Sequence, residues 1–236
     1  MPSQDFFSEE LLFSQSIRAG EFAFSAQDAR RSNGELNEVN AQDQALRTLE
    51  NLNVALKTVG LNLGSVASLM VYLPDYADAA KVAQVLEATF EKNADSFPAT
   101  TILGVAGLEG GCRVRMDALA TSSRDREALC LTGMPLTLGN RCHGVRVGNF
   151  FFLSGIDAGE IAGGVSPTSI QSQTTEVLVR INRILHAQGL SLGNLCRTFM
   201  FMPSTDYRPG YGEARKKVYQ GIFAEDEFPP NSGIYI

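Results

Sequence analysis

One stretch of this chain is written twice. Ala41-Gln42-Asp43-Gln44 leads through Leu49, Leu52 and Leu56 to Gly60-Leu61-Asn62-Leu63-Gly64. Ile170-Gln171-Ser172-Gln173 leads through Leu178, Ile181 and Leu185 to Gly189-Leu190-Ser191-Leu192-Gly193, at a constant offset of 129 residues. A long internal repeat is a strong constraint, because any fold proposed for one copy must also suit the other. In both copies the apolar residues recur at i, i+3 and i+7, one face of a helix. Each helix stops near a glycine, which tolerates the left-handed conformation of a C-terminal cap.

The flanks repeat as well. Upstream, Gly20-Glu21-Phe22-Ala23-Phe24-Ser25 matches Gly148-Asn149-Phe150-Phe151-Phe152-Leu153-Ser154, a short aromatic strand. Downstream, the apolar runs Val66 to Pro74 and Leu195 to Pro203 predict strands covered on both faces. Second helices are expected at about 78–93 and 210–223, followed by Phe97-Pro98 and Phe228-Pro229. The first copy adds a strand at 112–120, where Val114, Met116 and Ala118 alternate with Arg113, Arg115 and Asp117. The fold class is α+β, two helices packed on one face of a mixed sheet, used twice. The expected boundaries are 1–122 for the first domain, 123–140 for a polar linker and 141–236 for the second.

Composition narrows the function. No run approaches the ~20 apolar residues of a membrane helix, and the N-terminus lacks the basic start of a signal peptide. A cytoplasmic protein with no membrane partner is expected. With 26 acidic and 20 basic residues the net charge is −6. The short groups Arg30-Arg31 and Arg215-Lys216-Lys217 make no basic stripe, which argues against nucleic acid as partner. The four cysteines form no CxxC pair, so free thiols are the default, and two histidines cannot build a histidine-rich metal site.

The ordered motifs Gln44, Leu49-Glu50-Asn51-Leu52, Gly60-Leu61, Val71-Tyr72-Leu73-Pro74-Asp75, Phe97-Pro98-Ala99 and Val114-Arg115-Met116-Asp117-Ala118-Leu119-Ala120 resemble the Rid superfamily. These are the YjgF-type, L-PSP-like reactive-intermediate deaminases. The likeness covers about 11–121 and, more weakly, 142–236. It implies a chorismate-mutase-like fold, assembly as a homotrimer and small-molecule clefts between neighbouring subunits. It also implies hydrolysis of imines or enamines to ketoacid and ammonia, with no cofactor and no metal. In active deaminases an arginine follows Phe-Pro-Ala and forks onto the substrate carboxylate. A carboxylate on the last strand positions the hydrolytic water.

This chain departs from that pattern. Thr100 follows Phe97-Pro98-Ala99, Asn231 follows Phe228-Pro229-Pro230, and Phe13 stands where a tyrosine is common. Asp117 keeps the last-strand carboxylate, one methylene shorter than the usual glutamate, and is the candidate catalytic group. Ser154-Gly155 follows the second aromatic strand as in active members, a candidate ligand-binding pair. Arg141-Cys142-His143 lies in a segment that borders the cleft in the family. Arg141 can stand in for the missing anchor, Cys142 can line the site, and His143 can serve as acid–base group. Alternatively the three merely end a linker, with Cys142 packed as a small apolar group. Neighbouring residues of a strand point to opposite faces, so Cys142 and His143 do not form a dyad by themselves. Asn231 and Ser232 offer amide and hydroxyl groups to a neutral or amide-bearing ligand, or are only turn residues.

The second copy lacks a counterpart of the strand 112–120; a chain cut short at Ile236 is the expected reason, ahead of the connector Leu129–Leu138 or another subunit filling that place. Two functions follow. One is a cofactor-independent hydrolase or deaminase of a small imine, enamine or amide-like metabolite, with a non-standard site. The other is a non-catalytic small-molecule-binding or assembly protein of the same superfamily.

Overall fold

A computed structural model describes residues 14–94, 97–159, 167–224 and 226–236. It forms two compact units, Met1–Gly155 and Ile156–Ile236.

The first unit begins with the hairpin β1 (Ser16–Ala19) and β2 (Phe22–Asp28). It continues through α1 (Ala41–Lys57), β3 (Val66–Leu73), α2 (Ala79–Asn93), β4 (Ala99–Gly104) and β5 (Arg115–Thr121). The helix α1 starts where the Asn40 side chain accepts the Asp43 N–H, and its Ala45, Leu49, Leu52 and Leu56 are buried. The strands are ordered β1-β2-β5-β3-β4. β3 and β4 run parallel, and the other pairs are antiparallel.

Strand alternation sorts side chains to two faces. Leu69, Val71 and Leu73 of β3 and Met116, Ala118 and Ala120 of β5 join Leu49, Leu52, Val82, Leu86 and Phe90 in the helix-side core. Ser68, Met70 and Tyr72 point the other way, with Arg115, Asp117 and Leu119 beside them. The run 66–73 is therefore covered fully on one face only, and its second face is half-buried.

Part of that second face is covered by a three-stranded antiparallel sheet, β6 (Arg126–Leu129), β7 (Gly144–Val147) and β8 (Phe150–Leu153). Ala67 and Ala99 of the large sheet pack with Cys142, Val145 and Val147, and Phe22, Leu119 and Phe152 close the cluster. The segment 123–140 thus contributes a strand; the Arg126 guanidinium reaches the Gly64 carbonyl at 2.5 Å.

The second unit contains α3 (Ile170–His186), β9 (Thr198–Met202), α4 (Arg208–Tyr219) and β10 (Asn231–Tyr235), with β9 and β10 parallel. Its internal construction copies that of the first unit. The helices α1 and α3 span equivalent residues, and Ser169 caps α3 as Asn40 caps α1. Asn53 Oδ1 accepts the Leu63 N–H at 3.2 Å, and Asn182 Oδ1 accepts the Leu192 N–H at 3.2 Å. The Asn51 amide donates to the carbonyls of Asp28 and Arg30, and Arg180 donates to those of Asp157 and Gly159. Each of these pairs differs by 129 in number. The run 195–203 is a strand only over Thr198–Met202, and Phe199 is 46% exposed. Among the described residues no helix is long and apolar enough to cross a membrane.

Candidate functional site

The sequence-selected residues of the first unit fall into two groups. The first lies along the outer edge of β4. Ser154 is buried there, and its hydroxyl is fully engaged: it donates to the Cys142 carbonyl at 2.7 Å and accepts the Thr100 N–H at 3.3 Å. The Gly155 N–H donates to the Thr100 carbonyl at 2.9 Å, and the Asn140 amide donates to the Gly155 carbonyl at 3.0 Å. A Cβ at Gly155 would sit 3.0 Å from the Thr101 methyl, a tight contact that glycine avoids.

Thr100 is itself buried, with its hydroxyl donating to the Pro98 carbonyl at 3.1 Å. Cys142 is buried beneath the Phe97 and Pro98 carbonyls, and burial pushes its thiol up to about 11. It is a packed thiol rather than a thiolate at neutral pH. Arg141 is half-exposed, ion-paired with Glu87 of α2 and placed over the Phe97 ring at 5.9 Å. His143 is 1% exposed; its Nδ1 accepts the Leu131 N–H at 3.0 Å. Burial holds this imidazole below its ordinary pKa.

The second group stands on the half-buried face of the five-stranded sheet. Asp117 of β5 lies opposite Met70 of β3, and Tyr72 lies opposite Arg115. The diagonal brings the Tyr72 hydroxyl to Asp117, where it donates to Oδ2 at 3.2 Å. Burial and the Asp117 charge push the phenol up to about 12, so Tyr72 remains a donor through the physiological range. Arg115 Nε lies 3.6 Å from Asp117 Oδ1. Sequence reading selected Asp117 but missed Tyr72, whose signal was one polar handle within an apolar run. Arg113, assigned to the same strand face, instead precedes β5 and pairs with Asp78 at 2.6 Å.

In the second unit Asn231 opens β10. Its Oδ1 accepts the Thr198 hydroxyl at 2.8 Å and the Tyr211 hydroxyl at 3.3 Å. Asn231 pairs with Thr198 as Thr100 pairs with Leu69, which confirms in register that the two residues hold equivalent places. Ser232 is half-buried opposite Phe199. Phe13 lies outside the described residues.

Helices on one face of a mixed sheet, and one set of internal contacts used twice, define a two-layer α+β protein with repeated units. The endoribonuclease L-PSP family model matches residues 7–122 and again 134–235. The chain belongs to that family, within the Rid superfamily, and the two matched segments fit a tandem arrangement of chorismate-mutase-like units. A RutC family protein of Pyrococcus horikoshii is 32% identical over 110 residues, 46% of this chain and 85% of that protein. A 2-iminobutanoate/2-iminopropanoate deaminase of Salmonella typhimurium is 31% identical over 77 residues, 33% of this chain and 60% of the relative. The crystal structure of Escherichia coli TdcF with bound serine superposes with a TM-score of 0.45 at 26% identity, covering 47% of this chain and 88% of TdcF.

Proposed function

We propose that this protein is a cofactor-independent hydrolase that deaminates a small imine or enamine, with Asp117 as its general base. The observation that carries the reading is the Asp117 carboxylate, held by the Tyr72 hydroxyl at 3.2 Å on the half-open face of the sheet. Kinship with a protein named as an imine deaminase supports the reaction class. In this scheme Asp117 takes a proton from water as the oxygen bonds to the carbon of the protonated imine, and the C=N electron pair moves to nitrogen to give the neutral carbinolamine. Asp117 then returns its proton to nitrogen, the C–N bond breaks as the C=O bond forms, and the hydroxyl proton leaves with ammonia as ammonium.

The remaining candidates take supporting parts. Ser154 and Gly155 border the same face through Thr101, with the Ser154 hydroxyl spent on fixing β4. Cys142 packs, Arg141 holds α2 through Glu87, and His143 clasps the segment at Leu131 rather than meeting substrate. Asn231 and Ser232 border the equivalent edge of the second repeat. The tandem repeats assemble as a homotrimer in this reading, supported by Ile17 and Phe24, 58% and 50% exposed in one cross-strand row. Free cysteines suit the reducing cytoplasm.

A second reading, a binding or assembly protein without catalysis, draws support from Thr100 and Asn231, neutral and internally hydrogen-bonded where the family deaminases carry arginine. Ammonia release separates the two. When a pyridoxal-phosphate dehydratase generates 2-aminoacrylate, the wild-type protein is expected to accelerate ammonia formation over the uncatalysed rate. No acceleration at stoichiometric protein would leave the binding reading.

A further inference from the structure

The geometry points to Arg115 as the anion anchor of this site, taking the carboxylate of a small 2-imino or 2-oxo acid; the inference rests on Asp117 lying at the site proposed above. Arg115 and Asp117 are two residues apart on β5, so their side chains rise from the same face roughly 6.6–6.8 Å apart at the backbone. Arg115 Nε faces Asp117 Oδ1 at 3.6 Å, which leaves the terminal nitrogens as the free edge of the guanidinium fork. Among the described residues those nitrogens make no hydrogen bond. The neighbouring carboxylate on β2, Asp28, does not claim them. It is already held by Arg30, whose Nε lies 3.1 and 3.0 Å from its two oxygens and whose terminal nitrogen lies at 2.6 Å.

The floor beside this fork is Tyr72 and Met70 of β3, followed by Thr101 of β4, and it ends at Gly155. It presents one guanidinium, one carboxylate and a neutral phenol whose proton is directed at that carboxylate. A guanidinium edge binds a carboxylate through two parallel hydrogen bonds. A carboxylate held there places the adjacent 2-carbon toward Asp117, because in a 2-imino acid that carbon is bonded directly to the carboxyl carbon. The anchor charge absent at Thr100 and at Asn231 is thus supplied from β5, on the strand that also carries the base.

The test uses pyruvate, a stable 2-oxo acid, and its uncharged amide, pyruvamide, as probes in equilibrium titrations of the full chain. Wild type is expected to bind pyruvate more tightly than pyruvamide. Arg115→Gln should weaken pyruvate at least about tenfold and leave pyruvamide unchanged, since hydrogen bonds to charged groups are the strong class. Arg115→Lys, which keeps the charge without the fork, should fall between, and it guards against a folding defect in the glutamine variant. Equal pyruvate affinity in wild type and Arg115→Gln overturns the inference, as does a wild type that binds neither probe. Loss of pyruvate binding in Arg115→Gln, together with no ammonia release by wild type, would keep the anchor and remove the deaminase. Ammonia release with an unchanged KM in Arg115→Gln would do the reverse.

Discussion

His143 links acid sensitivity to one hydrogen bond. The ring is 1% exposed, and its Nδ1 accepts the Leu131 N–H at 3.0 Å, so the neutral ring carries its proton on Nε2. A second proton would have to enter at Nδ1, against a backbone donor and inside the fold. Burial therefore lowers the pKa from the usual 6.5, although the nearby Met134 and Pro135 carbonyls favour the charged form. The unfolded chain takes up the proton near pH 6.5, and the native state takes it up only at lower pH. Stability is thus unaffected well above pH 6.5 and falls as the pH drops below it. One proton bounds the slope of this loss at about 1.4 kcal/mol per pH unit.

His143→Gln, which keeps an amide acceptor without a titrating ring, should remove this component. Urea unfolding of both proteins at pH 7.5 and 5.5 isolates it as a double difference. Amide exchange at Leu131 reads it locally, with protection in wild type falling at the lower pH. An identical pH dependence in the glutamine variant would refute the assignment of His143 as a neutral clasp.

Three further outcomes follow from named contacts. Ser154→Ala strands a buried Thr100 N–H and the Cys142 carbonyl, and should cost about 2 kcal/mol, a fall in Tm of about 4–8 °C by calorimetry. Gly139→Ala should destabilise by about 1–3 kcal/mol in denaturant titration, because φ is +81° and a Cβ would overlap Ile102. Tyr72→Phe removes the donor that holds Asp117 and should slow ammonia release about tenfold with little change in Tm.

Much of the architecture was legible because it rests on local pattern. The i, i+3, i+7 stripes place α1 and α3 at residues 41–57 and 170–186, the 129-residue offset seen in the sequence. Asn53 and Asn182 preserve the same tertiary bond with the same residue type. Asn51 and Arg180 do equivalent work with unlike side chains, which identity matching passes over. The strand β6 was hidden because Arg126-Glu127-Ala128-Leu129 is too polar to signal a strand, and its pairing with β7 is what makes it one. Of the proposed site, the sequence singled out only the Asp117 carboxylate as a candidate catalytic group. Tyr72 and Arg115 join it through the β3–β5 register, across 45 residues of sequence between Tyr72 and Asp117. A binary reading of the run 66–74 as fully covered hides that hydroxyl. Arg113, by contrast, satisfies the alternation but lies before β5 begins, after the left-handed Gly110-Gly111 turn, and goes to Asp78.

The central claim is that Asp117 is the base. Its most direct test is the rate of ammonia release from 2-aminoacrylate by Asp117→Asn, compared with wild type and Asp117→Glu at matched, folded concentrations. A loss of at least about 100-fold in the asparagine variant, with substantial activity kept by glutamate, is the predicted result. An asparagine variant that releases ammonia at the wild-type rate would contradict the account.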